Sequence, residues 1–188
     1  AWDVPLKAIR IEAAALAKQW GIGCEEAGRR ARYEIFEECL QEMGGCRGAI
    51  AVAHHRDDCA ETLLFHMFRG TGLDGMAGIR PVRKTERESM IIRPLLETGK
   101  TEIESFLQEK GISWRIDSTN TGEDYTRNRI RNRVLPYAEK EICSGAGAHL
   151  AKEAQLLAET ADFVRSCTRQ ALERCRVEAG ALKTNVCG

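Results

Sequence analysis

Residues 51–65, A-V-A-H-H-R-D-D-C-A-E-T-L-L-F, decide the fold. The apolar run 48–53 is bounded by glycine and histidine, which predicts a buried parallel strand. Asp57 and Asp58 come shortly after, where the positive end of a helix dipole favours acidic side chains, so a helix is predicted over residues 57–68. The stretch therefore predicts a strand that leads directly into a helix, with polar side chains at the carboxyl end of the strand.

Outward from this stretch, helices and strands alternate along the chain. This alternation is typical of parallel strand–helix–strand units and predicts an α/β fold with a doubly wound, mostly parallel, Rossmann-like sheet. From Leu150 a long amphipathic helix with a weak seven-residue repeat is expected to pack on its own domain or to lead to another, rather than to form a coiled-coil dimer. The other expected helices are 6–19, 24–43 and 98–110, the other strands 90–93 and 112–116, and the loops 70–78 and 117–124.

The composition is that of a globular protein. Of the 188 residues, 43% are hydrophobic and 30% are charged, which excludes a disordered chain or a fibre. No apolar run reaches the length of a membrane span, and the start of the chain has no signal-peptide pattern. The 28 basic and 28 acidic side chains balance, so a nucleic acid would have to bind a local basic patch. The eight cysteines form no C-x-x-C pair, which favours reduced thiols in a cytoplasmic protein.

The first cluster of candidate functional residues lies on the helix predicted over 57–68. Asp58, Glu61 and Thr62 share one face of it, and His54 precedes them at the end of the strand. Such a group can orient a nucleotide or hold Mg²⁺ beside a phosphate, because oxygen ligands suit that ion. The alternative is that Asp57 and Asp58 only cap the helix. The presence of His54 and Glu61 favours a functional site.

Two further patterns are weaker. His55 and Cys59 are four residues apart and could bind zinc, but no second ligand pair lies nearby in sequence, so a buried free thiol is the better interpretation. Residues 70–75 match G-x-G-x-x-G, yet a predicted helix precedes them where a dinucleotide site needs a strand. A nicotinamide site is therefore not expected.

The second cluster is the run R-N-R-I-R-N-R over residues 127–133. On a helix, Arg127 with Arg131 and Arg129 with Arg133 form two rows of like charge, which repel unless anions neutralise them. Arginine forks suit phosphate, so the run predicts a site for a phosphate of ATP or RNA. The alternative is a solvated face whose acidic partners, such as Glu123 and Asp124, come from the preceding loop.

Taken in order, these motifs resemble those of one known family. A-H-H-R-D-D-C-A-E-T, R-G-T-G-L-D-G-M-A-G-I, R-P-L-L, D-S-T-N and R-N-R-I-R-N-R-V-L-P are similar to motifs of the bacterial tRNA(Ile)-lysidine synthases, over residues 23–136. The resemblance implies a PP-loop, adenine nucleotide alpha hydrolase-like fold. It also implies a ligase that uses ATP to join L-lysine to the wobble cytidine of a tRNA(Ile) with a CAU anticodon, through an adenylated tRNA.

The resemblance also implies particular site residues. The family's catalytic positions fall on Arg32, His54, Asp58, Glu61, Asn120 and Arg131. ATP is expected to contact Asp58, Arg127, Arg131 and Arg133, and Mg²⁺ is expected at Asp58 and Glu61. Residues 1–136 would form a PP-loop catalytic domain, and residues 137–188 a helical linker or extension. No membrane partner is expected, and a homodimer is compatible with the pattern.

The sequence departs from the family in one respect. The phosphate-binding loop S-G-G-x-D-S is absent from the chain, and we expect it upstream of Ala1, with tRNA-recognising C-terminal domains missing as well. On this reading the chain is a fragment that makes no lysidine alone. Two alternatives stay open. One is a tRNA 2-thiolation ATPase of the same fold, although those enzymes typically use paired cysteines. The other is a non-catalytic RNA-binding remnant.

Overall fold

The computed structural model describes residues 4–43, 48–115 and 126–175. The chain divides into two compact units, one formed by Ala1–Ala51 with Val82–Ile92 and the other by Val52–Pro81 with Arg93–Gly188. Within the described ranges, no helix is both long enough and apolar enough to cross a membrane. The candidate site lies in the second unit, so that unit matters most for function.

The first unit holds a small mixed sheet and two helices. Its helices are α1, Ala13–Trp20, and α2, Cys24–Glu42. Its strands are β1, Ala49–Ala51, β2, Val82–Lys84, and β3, Met90–Ile92, in the order β1-β3-β2. β1 runs parallel to β3, with Ile50 opposite Ile91, and β2 runs antiparallel to β3. Ile50 and Ile91 are both buried and form the apolar centre of the sheet.

The two helices of this unit match the predicted helices to different extents. The helix predicted over 24–43 is confirmed as α2, on which Ala27 and Ala31, one turn apart, are buried. The prediction of a helix over 6–19 is wrong in its first half, because α1 begins only at Ala13. Residues 4–10 are exposed, with Leu6 92% accessible. A short segment gains too little from helix propensity alone, and α1 forms where it can pack on α2.

The second unit is helical. Its elements are α3, Arg56–Arg69; α4, Leu73–Met76; α5, Lys100–Glu109; α6, Thr126–Arg129; α7, Leu135–Tyr137; and α8, Ala146–Cys175. Two π-helical segments, Ile130–Val134 and Ala138–Ile142, flank α7. Ala60, Ile130 and Leu135 form a buried core, and Leu64, Phe65 and Leu150 pack against it. α8 packs on α3 and α4 and buries Ala154, Ala158 and Ala161.

Several predicted elements of the chain are confirmed with shifted ends, and two are corrected. The helices beginning near residues 57, 98 and 150 are present as α3, α5 and α8. Strand β2 was not predicted, and its antiparallel pairing makes the described sheet mixed. The strand expected over 112–116 is absent from residues 112–115, and residue 116 lies outside the described part. The N–H of Ile112 instead donates to the carbonyl of Leu107 at 2.9 Å and closes the end of α5, so it is unavailable for a strand pairing.

Candidate active site

The amino end of α3 carries the first half of the candidate site. The backbone N–H of His55 donates to Asp58 Oδ2 at 2.9 Å, which caps the helix. The capping interpretation of Asp58 is therefore correct for one of its oxygens. Asp57 faces another way, because its Oδ2 accepts from the backbone N–H of Lys100 at 3.0 Å at the start of α5. Asp58 is thus the acid of this pair that faces the candidate site.

A bidentate ion pair joins the two sequence clusters. Arg131 donates from Nε to Glu61 Oε1 at 2.5 Å and from Nη2 to Glu61 Oε2 at 2.7 Å. Nη2 also donates to Asp58 Oδ1 at 3.2 Å. The pairing follows from the core, since Ala60 and Ile130 are packed in one apolar cluster and each immediately precedes a member of the ion pair. Packing of the neighbouring apolar residues therefore brings Glu61 and Arg131 together.

Arg127 completes the row on the second cluster. Its Nη2 donates to the hydroxyl of Thr62, and its Nε lies 3.6 Å from Glu61 Oε2. Arg127 and Arg131 are four residues apart and would repel each other on an isolated helix. Here both face the carboxylate of Glu61, with Asp58 adding a second negative charge beside Arg131. The anions that neutralise this row in the structure are carboxylates of the protein itself.

Burial controls the electrostatics of this cluster. Glu61 is only 1% accessible, whereas the side chain of Arg131 is 29% accessible. Burial raises the pKa of Glu61, and the hydrogen bonds from Arg131 oppose that shift. The same hydrogen bonds raise the pKa of Arg131. The cluster therefore pairs a buried carboxylate, Glu61, with a partly exposed cation, Arg131. Because Glu61 has no access to water, its charge depends on the hydrogen bonds from Arg131 more than the charge of Arg131 depends on Glu61.

His54 has a partner that was not among the predicted site residues. Arg93 Nε donates to His54 Nδ1 at 3.1 Å. Burial lowers the pKa of His54; the carboxylate of Asp58 raises it, and the charges of Arg93, Arg127 and His55 lower it further. The R-P-L-L motif contains Arg93, but nothing in that motif indicates which side chain the arginine contacts. Only the fold shows the pairing.

The remaining predicted residues are not all part of this cluster. Arg133 is exposed on the first π-helical segment, and Arg32 is exposed on α2 in the first unit. Asn120 lies outside the described residues, as do Glu123 and Asp124, the acidic partners proposed for the alternative. The roles predicted for Arg32, Asn120 and Arg133 stay predictions.

The thiol predicted beside His55 is a buried free cysteine. Cys59 is 5% accessible, and burial raises its pKa to about 11. A thiol with this pKa is almost fully protonated at neutral pH and is a poor metal ligand. Among the residues that the structure describes, no group of three or more His, Cys, Asp or Glu side chains could hold a metal ion.

Magnesium does not fit the two carboxylates as they are arranged. Both oxygens of Glu61 accept hydrogen bonds from Arg131. Asp58 Oδ1 accepts from Arg131, and Asp58 Oδ2 accepts from the backbone of His55. All four oxygens therefore already face N–H donors. A cation would compete with the Arg131 guanidinium at three of them and with the capping N–H of His55 at Asp58 Oδ2.

Comparison with known proteins identifies the family of this arrangement. A family model described as the PP-loop domain matches residues 1–138. The chain is 41% identical over 172 residues to the tRNA(Ile)-lysidine synthase of Caldanaerobacter subterraneus subsp. tengcongensis, covering 91% of this chain and 35% of that protein. It is 40% identical over 155 residues to the synthase of Chlorobaculum tepidum, covering 82% of this chain and 45% of that protein. It is 36% identical over 165 residues to the synthase of Bacillus subtilis, covering 88% of this chain and 34% of that protein. The chain thus spans less than half the length of these curated relatives.

A solved structure shares the fold. The U34-tRNA thiolase NcsA from Methanococcus maripaludis matches with a TM-score of 0.55 and 15% identity, covering 79% of this chain and 55% of that chain. At this identity the likeness concerns the fold alone. Together with the family match, it confirms the PP-loop α/β fold that the sequence predicted.

Proposed function

The chain belongs to the PP-loop domain family, and we propose that it carries active-site residues of a tRNA(Ile)-lysidine synthase. The main support for this proposal is that two distant motifs form one ion-paired cluster. Asp58 and Glu61 belong to H-H-R-D-D-C-A-E-T, and they pair with Arg127 and Arg131 of R-N-R-I-R-N-R. Both motifs contribute to the resemblance to the synthases. Identities of 36% to 41% with such synthases over most of the chain support the same proposal.

The proposed reaction has two steps. In the first, the 2-oxo oxygen of the wobble cytidine in a tRNA(Ile) with a CAU anticodon attacks the α-phosphorus of ATP, and pyrophosphate leaves. In the second, the ε-amine of L-lysine attacks C2 of the base, the C2–O bond breaks, and AMP leaves with that oxygen. Adenylation turns a poor leaving oxygen into a good one. Membership of the PP-loop family supports the use of ATP.

The residues of the cluster are assigned roles by their charge and position. Arg127 and Arg131 would neutralise negative charge that develops on the phosphates, because fixed cations in a partly buried site stabilise such charge strongly. Glu61 and Asp58 hold Arg131 in place through three hydrogen bonds. Asp58 would also attract the lysine ammonium group. His54 completes the proposed set beside Asp58.

Some expected features remain proposals with less support. Mg²⁺ at Asp58 and Glu61 stays a prediction, and we derive no step through it because the four oxygens already face N–H donors. ATP contacts from Arg133, catalytic roles for Arg32 and Asn120, and a homodimer also stay predictions. A cytoplasmic location is proposed from the chemistry, since the substrates would be tRNA, ATP and free lysine.

The test is lysine incorporation by the full protein that contains this chain. Carbon-14-labelled L-lysine, ATP and unmodified tRNA(Ile) with a CAU anticodon are incubated with the wild type and with Glu61→Gln and Arg131→Gln. We expect label in tRNA that depends on ATP, with a rate at least about a hundredfold lower in both variants. The matched control is Arg169→Gln, which removes an exposed guanidinium from α8 and should leave the rate unchanged.

A second substrate separates the competing functions. A tRNA with uridine at the wobble position should take up no lysine from this protein. Transfer of sulfur to that uridine, in place of lysine transfer to cytidine, would establish the thiolation alternative and reject our proposal. Binding of tRNA with neither reaction would support the non-catalytic RNA-binding alternative.

A further inference from the structure

Arg93 is buried, and its hydrogen bonds to other described residues lie within the second unit. It is 9% accessible. Its backbone N–H donates to the carbonyl of Pro81 at 2.9 Å, and its Nη1 donates to the carbonyl of Arg80 at 2.6 Å. The first contact holds the backbone at Arg93 and the second holds its guanidinium, so the fold keeps the third contact, from Nε to His54 Nδ1, in place.

The chemistry of the two groups decides where the proton of His54 lies. A guanidinium has only N–H donors and keeps its charge at any physiological pH. Since Arg93 Nε–H can only donate, His54 Nδ1 must be the acceptor and carries no proton. A neutral imidazole with an unprotonated Nδ1 carries its one proton on Nε2. Protonating Nδ1 would place two N–H groups, and two positive charges, against each other.

We infer that Arg93 is a positioning residue that fixes His54 as the Nε2–H tautomer. His54 then offers a hydrogen-bond donor at Nε2 and cannot serve there as a general base. The inference that this donor acts on an oxygen of the base or of a phosphate rests on the proposed function, while the tautomer does not. If His54 is a donor, deprotonation of the attacking lysine ammonium group must depend on another group or on solvent.

The arginine fork is specific for this role. One guanidinium satisfies both the Arg80 carbonyl at 2.6 Å and His54 Nδ1 at 3.1 Å through two different nitrogens. A lysine ammonium is a single point charge on a flexible stem and cannot reproduce this planar arrangement. Arg93→Lys is therefore expected to keep the charge but lose control of the tautomer.

The experiment reads the tautomer directly. Nitrogen-15 histidine is incorporated into the protein, and long-range proton–nitrogen spectra are recorded at about pH 7.5, where each neutral tautomer has its own pattern of nitrogen shifts. The chain has four histidines, and His54→Gln assigns the His54 signals by their loss. We expect wild-type His54 to show a protonated Nε2 and an unprotonated Nδ1. A wild-type His54 with its proton on Nδ1, or with both tautomers in exchange, would overturn the inference without any variant at position 93.

Variants then test the cause. Arg93→Gln and Arg93→Lys should convert His54 to a mixture of tautomers and lower kcat at least about tenfold with little change in the KM for ATP. Arg80→Gln is the matched control, because only the backbone carbonyl of Arg80 binds Arg93, and it should leave the His54 spectrum unchanged. An unchanged spectrum in Arg93→Gln, or the same change in Arg80→Gln, would refute the assignment. The spectra do not depend on catalysis, so a failure of the proposed function would appear separately as absent lysine transfer.

Discussion

The ion pair between Glu61 and Arg131 gives the sharpest test of the site's energetics. Arg131→Gln removes both hydrogen bonds to a carboxylate that is 1% accessible, whereas Glu61→Gln leaves behind an arginine that is 29% accessible. The two changes break the same pair, but they leave unequal partners. A buried carboxylate cannot rehydrate, while a partly exposed guanidinium can turn toward water.

The magnitudes follow from this asymmetry. Removing one partner of a buried ion pair typically costs about 3–5 kcal/mol, because the other charge stays buried and unpaired. Arg127 Nε remains 3.6 Å from Glu61, so we expect the lower end, about 3 kcal/mol, for Arg131→Gln. Glu61→Gln should cost about 1–2 kcal/mol, since Arg131 keeps Asp58 and gains water. The double variant should lose less than the sum, by a coupling of about 1–2 kcal/mol.

Urea unfolding followed by circular dichroism measures these differences. With a slope of about 2 kcal/mol per molar urea, Arg131→Gln should lower the midpoint by about 1.5 M. Exposed changes of the same type, Arg169→Gln on α8 and Glu109→Gln on α5, serve as controls and should shift the midpoint little.

The pH dependence provides a second readout. Without Arg131, burial and the charge of Asp58 raise the pKa of Glu61 against Arg127 alone, so its pKa in the folded state rises further above the ordinary value of 4.5. When the pKa of Glu61 is higher in the folded than in the unfolded protein, the free energy of unfolding is unaffected at low pH, where the carboxyl is protonated in both states. It falls as the pH rises through the folded-state pKa, because the carboxyl then becomes charged in the buried site. The loss in free energy of unfolding caused by Arg131→Gln should therefore become smaller as the pH is lowered from about 7 to about 5. Equal costs for Arg131→Gln and Glu61→Gln, or a deficit that does not change with pH, would refute the reasoning.

Three further predictions concern other parts of the second unit. Gly78→Ala should lower the free energy of unfolding by about 1–3 kcal/mol, because Gly78 has φ +61° and an added Cβ would lie 3.2 Å from a side chain of α8. Gly72→Ala is the control and should change it little, because the space around Gly72 is open. Glu139 accepts hydrogen bonds from two backbone N–H groups at the start of α8, at 2.7 and 2.8 Å, and these bonds lower its pKa. Glu139→Gln should therefore lower the melting temperature above about pH 4.5, and this effect should disappear as the pH falls below that value. Cys59, with a pKa of about 11, should resist alkylation at about pH 8 while exposed Cys167 reacts, as mass spectrometry of the folded protein would show; equal rates would contradict its burial.

Local rules account for the elements that the sequence predicted well. Acids at residues 57 and 58 marked the start of α3, and amphipathic spacing marked the long helix α8. These signals depend on residues within a few positions of each other. Local rules failed for residues 6–12 and 112–115, where the outcome depends on what the segment packs against or pairs with.

The candidate site divides in the same way. The sequence alone identified both charged clusters, because carboxylates and arginines at helical spacing are visible in a linear pattern. It could not show that Arg131 binds Glu61, 70 residues away. Nor could it pair Arg93 with His54, 39 residues away.

The sequence by itself determined the family, the fold class and the charged groups that are available for chemistry. Only the tertiary structure decided which of those charges neutralise each other and which nitrogen of His54 faces an arginine. The physical reason is distance along the chain. Helix spacing and capping act over a few residues, whereas the contacts of Glu61 and His54 depend on the burial of apolar neighbours such as Ala60 and Ile130, which brings distant segments together.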